Sequence, residues 1–166
     1  MAYPVVIREL PSQNEVDIRF VLNASSAVNN GVLVTPTDAL VSGYRDVYGL
    51  TTLASTNLWI ATGVEALYET GKHLDDYTNI AGAPFRIERL VEGAIFAISS
   101  DGISVTTPAT NQVVGANAIM GSNGVITLKA TAASGDVIVG KVIDIFSKGG
   151  KTFISIMFNG APTTAS

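Results

Sequence analysis

The sequence predicts a mainly β protein: an antiparallel β-barrel or β-sandwich with long inserted loops, an extended N-terminal arm and little helix. Three observations predict it. Short apolar runs recur along the chain, several with the two-residue alternation of a half-buried strand. Glycine-containing turn signals separate them at Ser100-Asp101-Gly102, Ser122-Asn123-Gly124, Ser134-Gly135-Asp136 and Lys148-Gly149-Gly150-Lys151. Such pairs supply the positive φ angles of tight hairpins. Finally, no segment sustains a long helical period, and many short strands at regular spacing belong to sandwiches and barrels.

The elements follow in order. In residues 1–15, Pro4 and Pro11 disfavour helix, while Val5, Val6 and Ile7 are apolar with no hairpin partner nearby. Two readings stay open: a first strand of the chain's own barrel, or an arm that adds a strand to a neighbour's sheet edge. Residues 16–166 read as a single β-rich domain, with a barrel-like part at about 90–160. "EVDIRFVL" alternates Val16, Ile18 and Phe20 with Asp17 and Arg19. "GVLVT" and "NLWIAT" are unbroken apolar runs, with Trp59 expected in the core. "PFRIERL" sets Phe85 and Ile87 opposite Arg86 and Glu88. The strands "GAIFAIS", "GISVTT", "GVITLKAT", "DVIVGKVIDIF" and "TFISIMF" complete the pattern. Residues 36–50 and 63–83 carry four of the five tyrosines and read as long ordered loops, with Val64–Tyr68 the best place for a short helix. Loops of that length usually have a task or a partner.

Composition narrows the function. Apolar residues make up 47% of the 166, and charged residues only 14%, against ~25% in ordinary soluble domains. No apolar run reaches the ~18–20 residues of a membrane helix, so no membrane partner is expected. Net charge is −4 and the ten basic residues are scattered, which argues against a nucleic-acid partner. Cysteine is absent, which excludes a disulfide framework and thiolate metal sites. "MAYPVVIREL" lacks the basic-then-apolar pattern of a secretory signal, so the triplet Asn23-Ala24-Ser25 is read as unglycosylated. Residues 103–166 hold only six of the 24 charged side chains. A compact barrel faced with small polar residues accounts for this. So does a surface packed against copies of itself or another protein, since interface cores are depleted of charge.

"SKGGKTFISIMF" ends like a phosphate-binding loop, and physics decides against that. The loop needs a first glycine five residues before its Gly-Lys-Thr glycine, and a helix after it. Residue 145 is isoleucine, and "TFISIMF" alternates as a strand. Lys148–Lys151 is therefore expected to be a hairpin turn whose lysines keep the tip soluble. His73 is expected to be a surface histidine, because no serine or cysteine nucleophile stands in a recognisable motif. Asp75-Asp76 lacks the spaced carboxylates of a calcium loop. No catalytic constellation is found, so neither an enzyme nor a cofactor, metal or small-molecule substrate is expected.

The middle of the chain carries "NLWIATGVEALYE", a "DDYTN-x-AG" segment and "R-x-x-R-L-x-x-G", an arrangement that resembles small structural proteins of tailed bacteriophages. Its matching residues are Trp59, Tyr68, Asp75, Asp76, Tyr77, Thr78, Asn79, Ala81, Gly82, Arg86, Arg89, Leu90 and Gly93. The glycine-punctuated strands that follow are similar in style to phage head decoration, or cement, proteins, so the likeness covers roughly 57–160. It implies a non-enzymatic virion protein on the outer capsid surface, made in the host bacterial cytoplasm and bound to the major capsid protein. It further implies a homo-oligomer, a trimer by analogy with decoration proteins at threefold positions. Tyr3, Pro4, Val5, Val6, Ile7, Tyr44, Tyr48, Tyr68 and Tyr77 are the expected capsid or subunit contacts. Two other readings remain: a different virion component such as a tail-tube protein, and a carbohydrate-binding module using Tyr44, Tyr48, Tyr68 and Tyr77.

Overall fold

The computed structural model describes residues 4–10 (7–10 as backbone only), 18–23, 25–63 and 78–166. The fold is mainly β. Its strands are β1 (Val6–Leu10), β2 (Ile18–Leu22), β3 (Leu33–Leu40), β4 (Val47–Thr51), β5 (Trp59–Ala61), β6 (Phe85–Arg89), β7 (Ile95–Ser99), β8 (Ile103–Ser104), β9 (Asn117–Met120), β10 (Ile126–Lys129), β11 (Val137–Lys148) and β12 (Lys151–Thr164). Helix is limited, among the described residues, to a 3-10 turn at Ser100–Gly102 and one α turn at Pro108–Asn111.

The strands form two units. β2, β4, β3, β5 and β6 close a five-stranded barrel, and the others form a seven-stranded sheet in the order β1-β7-β12-β11-β9-β10-β8. The closed barrel therefore lies in the first half of the chain, not at 90–160, where the sequence pattern placed it. Its closure depends on a parallel β2–β4 pair, a long-range pairing that no turn signal announces.

The two-residue period explains how the units join. On β5, Trp59 and Ala61 point into the barrel with Val21, Val34, Phe85 and Ile87. The alternate residues Leu58 and Ile60, with Leu33 of β3, enter a second core. That core also contains Phe96, Ile98, Leu128, Val142, Ile154, Ile156 and Phe158 of the sheet. One wall of the barrel is thus buried on both faces, which is why "GVLVT" and "NLWIAT" are unbroken apolar runs. β2 departs from the expected alternation: Phe20 faces water, and Val21, with Arg19 on its side, faces the barrel.

Three expectations change. Val6–Leu10 pairs antiparallel with β7 of the same chain, Val6 opposite Ile98 and Ile7 opposite Ala97. The N-terminal segment is its own sheet's edge strand, so it is not held out for a neighbour. Residues 36–50 are chiefly the β3–β4 hairpin rather than a loop. Ser100-Asp101-Gly102 is a 3-10 turn leading to β8, which pairs parallel with β10, and not a hairpin. The proposed helix at Val64–Tyr68 lies outside the described residues.

The turn at Lys148–Lys151 is the expected hairpin. Lys148 pairs with Lys151, and Gly149 and Gly150 adopt φ of 59° and 78°, the two positive angles of a type I′ turn. Lys151 Nζ donates to Asp101 Oδ2 at 2.7 Å.

A second ion pair ties β10 to the start of β11. Lys129 Nζ donates to both oxygens of Asp136 at 2.9 and 2.8 Å, and the Ala133 N–H donates to Asp136 Oδ2 at 2.7 Å. The lysine bond first, and the backbone bond second, hold the Asp136 carboxyl below its ordinary value of 3.8. A depressed carboxylate stabilises the fold fully above its unfolded pKa, and the contribution is lost as pH falls through the lower folded value. Asp136→Asn is therefore expected to melt at a lower temperature than the parent near pH 7. The gap should close on acidification below about pH 4. Thermal melts at the two pH values check this, and a gap unchanged at low pH would speak against the pairing.

Candidate functional site

The described surface that stands out is the barrel wall formed by β2, β4 and β3. Phe20 has the opposite parity to the inward Val21 and is 49% exposed. Leu40 is 54% exposed and Tyr44, in the turn between β3 and β4, is 42% exposed. The register sets Phe20 beside Val47 and Leu40 beside Tyr48, consecutive residues of β4 that point to opposite faces, so Phe20 lies on the outer face and Leu40, at the end of β3, on the face of Tyr48. Large apolar side chains left exposed on these strands and their turn are candidates for contact with a partner.

Beneath this wall, Arg19 shares the inward parity of Val21. Its guanidinium lies 4.9 Å from the Tyr48 ring centroid and 5.1 Å from that of Trp59. Trp59 Nε1–H donates to Asn57 Oδ1 at 2.8 Å. A cation over two rings is held at ~0.5–2 kcal/mol. The outer side of Arg19 is 3.6 Å from Asp38 Oδ1, an exposed contact of little energetic value. Tyr48 is therefore half-buried under Arg19, whereas Tyr44 is free to touch a partner.

The other expected contacts divide. Pro4 and Val5 are buried, Val5 with Ala97 and Phe153, and Val6 packs on the sheet core. They serve the chain's own fold. Ile7 sits in β1 opposite Ala97. Tyr3, Tyr68 and Tyr77, like His73, Asp75 and Asp76, lie outside the described residues.

The segment 78–93 has structural work instead. Thr78 Oγ1 donates to Asn29 Oδ1 at 2.9 Å. Buried Asn79 donates through Nδ2 to Val28 O at 2.8 Å and Asn30 Oδ1 at 3.0 Å. The Gly82 N–H donates to Asn23 O at 2.8 Å. Together they fasten the loop before β3. Arg86 Nη2 donates to Glu88 Oε1 at 2.7 Å, with the Glu88 side chain only 1% exposed. The alternation of β6 marks Glu88 as facing away from Phe85 and Ile87 but does not reveal that this face is covered.

A cleft of about 360 Å³ opens beside the barrel between Asn23, Asn29, Thr35, Thr51 and Asn123. Among the described residues, no charged side chain and no aromatic ring lines it. Of the tyrosines named from the sequence, the described Tyr44 and Tyr48 do not line it. Among the described residues no group of three or more His, Cys, Asp or Glu is placed to hold a metal ion, and no helix is long and apolar enough to cross a membrane. Comparison with protein-family models matches none of them, and comparison with curated proteins finds no similar sequence.

Proposed function

We propose that the protein is a structural component of a tailed-phage particle, a decoration protein that binds the outer capsid surface and stabilises it. The observation that carries the reading is the exposure of the large apolar side chains Phe20, Leu40 and Tyr44 on β2 and the β3–β4 hairpin of the barrel. The resemblance over residues 57–160 supports the choice of partner. A homo-oligomer, taken as a trimer from the same resemblance, would present these side chains in several copies, and modest contacts would then add through avidity. The N-terminal strand is not the anchor in this proposal, since Val5 and Val6 are used within the fold.

The test mixes the purified protein with undecorated phage heads and measures cosedimentation. The parent chain is expected to pellet with heads. Phe20→Ser/Leu40→Ser is expected to keep its fold and lose most of that binding, because both side chains are exposed and each forfeits ~1–2 kcal/mol of apolar contact per copy. Failure of the parent chain to bind heads overturns the capsid reading. Undiminished binding by the variant moves the contact away from these side chains.

A further inference from the structure

We infer that the outer edge of β11, residues 144–148, is a self-association surface on which a second copy of this chain adds its own β11, antiparallel about a two-fold axis at Phe146. β11 is twelve residues long, but β9 covers only its first part, pairing with Ile138, Gly140 and Lys141. The last contacts on that side are the Gly115 N–H donating to Val142 O at 2.8 Å and the Val142 N–H donating to Ala116 O at 2.9 Å. Among the described residues, the strand from 144 to 148 is paired on one side alone, with β12 in unbroken register from Asp144↔Ser155 to Lys148↔Lys151. An open run of this length is a ready template for another strand.

The direction of each backbone group follows from the turn. Lys148 and Lys151 close a two-residue loop, so Lys148, Phe146 and Asp144 aim their N–H and C=O groups at β12. Ile145 and Ser147 aim theirs at solvent. The Ile145 N–H bears this out: it donates to the Asp144 carboxylate at 2.8 Å instead of to a neighbouring strand.

Side-chain chemistry then selects one register. Asp144, Phe146 and Lys148 share a sheet face, where Phe146 stacks on Phe153 with centroids 5.5 Å apart. Centring the two-fold on Phe146 sets Ile145 against Ser147 of the copy, which exchanges the outward backbone bonds. It also sets Asp144 against Lys148 of the copy, twice, and Phe146 against its own copy. These are non-hydrogen-bonded pairs, in which opposed side chains come closest. Centring on Ile145 would oppose Asp144 to Phe146, and centring on Ser147 would oppose Lys148 to Phe146. Only the Phe146 register pairs opposite charges and joins two stacked phenylalanine pairs into one row. The copy's turn arrives near Gly115 with two glycines and no side chain to obstruct it. Five residues of edge bury less than the ~800 Å² per partner of a standard interface, so the association belongs to the weak class.

The absence of cysteine makes the test clean. Phe146→Cys is expected to form a disulfide-linked dimer under mild oxidation, at least about tenfold faster than Ser147→Cys, which faces residue 145 of the copy. Sedimentation of the unmodified chain from about 10 µM to about 1 mM should show reversible, concentration-dependent two-fold pairing, whether the unit that pairs is a single chain or a trimer. Asp144→Lys or Lys148→Asp alone is expected to weaken self-association about tenfold or more, and the two together to restore it. Equal crosslinking at 146 and 147, single charge reversals that leave association unchanged, or a double variant no better than either single one would each overturn the inference. The charge reversals lie on exposed positions, so they remain decisive if Phe146→Cys fails to fold. Head binding plays no part in these readouts, and the capsid proposal stands or falls separately.

Discussion

Gly124→Ala is expected to lower the unfolding free energy by about 2–5 kcal/mol, out of the ~5–15 kcal/mol of a typical domain. Two costs combine at this position. Gly124 has φ of 77°, where an L side chain costs ~1–2 kcal/mol. An added Cβ would also drive into the carbonyl oxygen of Leu33, with Val32 Cγ1 at 3.0 Å, and overpacking costs ~1–3 kcal/mol. The clash falls where barrel and sheet meet, because the Leu33 N–H donates to Gly124 O at 2.8 Å. Gly135→Ala is the control. Its φ is 87°, but nothing lies within 4 Å of the added carbon, so only the backbone cost of ~1–2 kcal/mol is expected. Urea titration of both variants measures the difference, with an unchanged slope indicating the same folded and unfolded states. Equal losses at 124 and 135 would mean that the hairpin does not press on β3.

How far the sequence reveals this fold depends on whether a feature is local. The Lys148–Lys151 turn and the inward Trp59 are local, and each is legible from a few residues; β2 is legible as a strand, but its faces are the reverse of those its polar alternation suggests, with Phe20 outward and Val21 inward. The barrel is not. Its parallel β2–β4 contact joins Phe20 to Val47 and Val21 to Tyr48, residues separated by a whole hairpin, and no nearby pattern encodes that meeting. β4 itself is masked by Gly49, which reads as a loop residue. In the fold it sits against Thr37, whose Oγ1 would lie 3.1 Å from an added Cβ. Pro36 misleads in the same way, yet it falls just before the irregular stretch of the β3–β4 pairing, where a missing N–H is tolerated.

The candidate site was legible in part. The alternation of β2 places Phe20 with Ile18 on the expected buried face, whereas the fold turns Phe20 outward and Val21 inward; Tyr44, an expected contact, is exposed. Leu40 falls in a segment that reads as a loop, and Tyr48, an expected contact, lies under the Arg19 guanidinium. The apolar N-terminal residues raised both the self-pairing and the neighbour-pairing reading. Composition cannot choose between them, because an edge strand and an exchanged strand have the same alternation. The pairing of Val6 with Ile98 makes the choice.

Phe96→Ala is expected to cost about 3–5 kcal/mol, the range for removing a well-packed buried phenylalanine. Phe96 is 2% exposed on β7, whose neighbours on either side are β1 and β12. Its ring meets Phe158 of β12 edge-on, with centroids 5.9 Å apart and planes at 73°, a geometry worth ~0.5–1.5 kcal/mol beyond buried area. That part is separable. With Phe158→Ala and the double variant, the cycle should return a coupling of about 0.5–1.5 kcal/mol. Phe20→Ala supplies the contrast, since its side chain is half exposed and its loss should move stability by no more than about 0.5 kcal/mol. Chemical denaturation of the four variants gives all of these values. A cost below about 1 kcal/mol at Phe96 would mean that the core shared by sheet and barrel is loosely packed. A large cost at Phe20 would make that residue part of the fold, and Phe20→Ser/Leu40→Ser could then no longer report on binding alone.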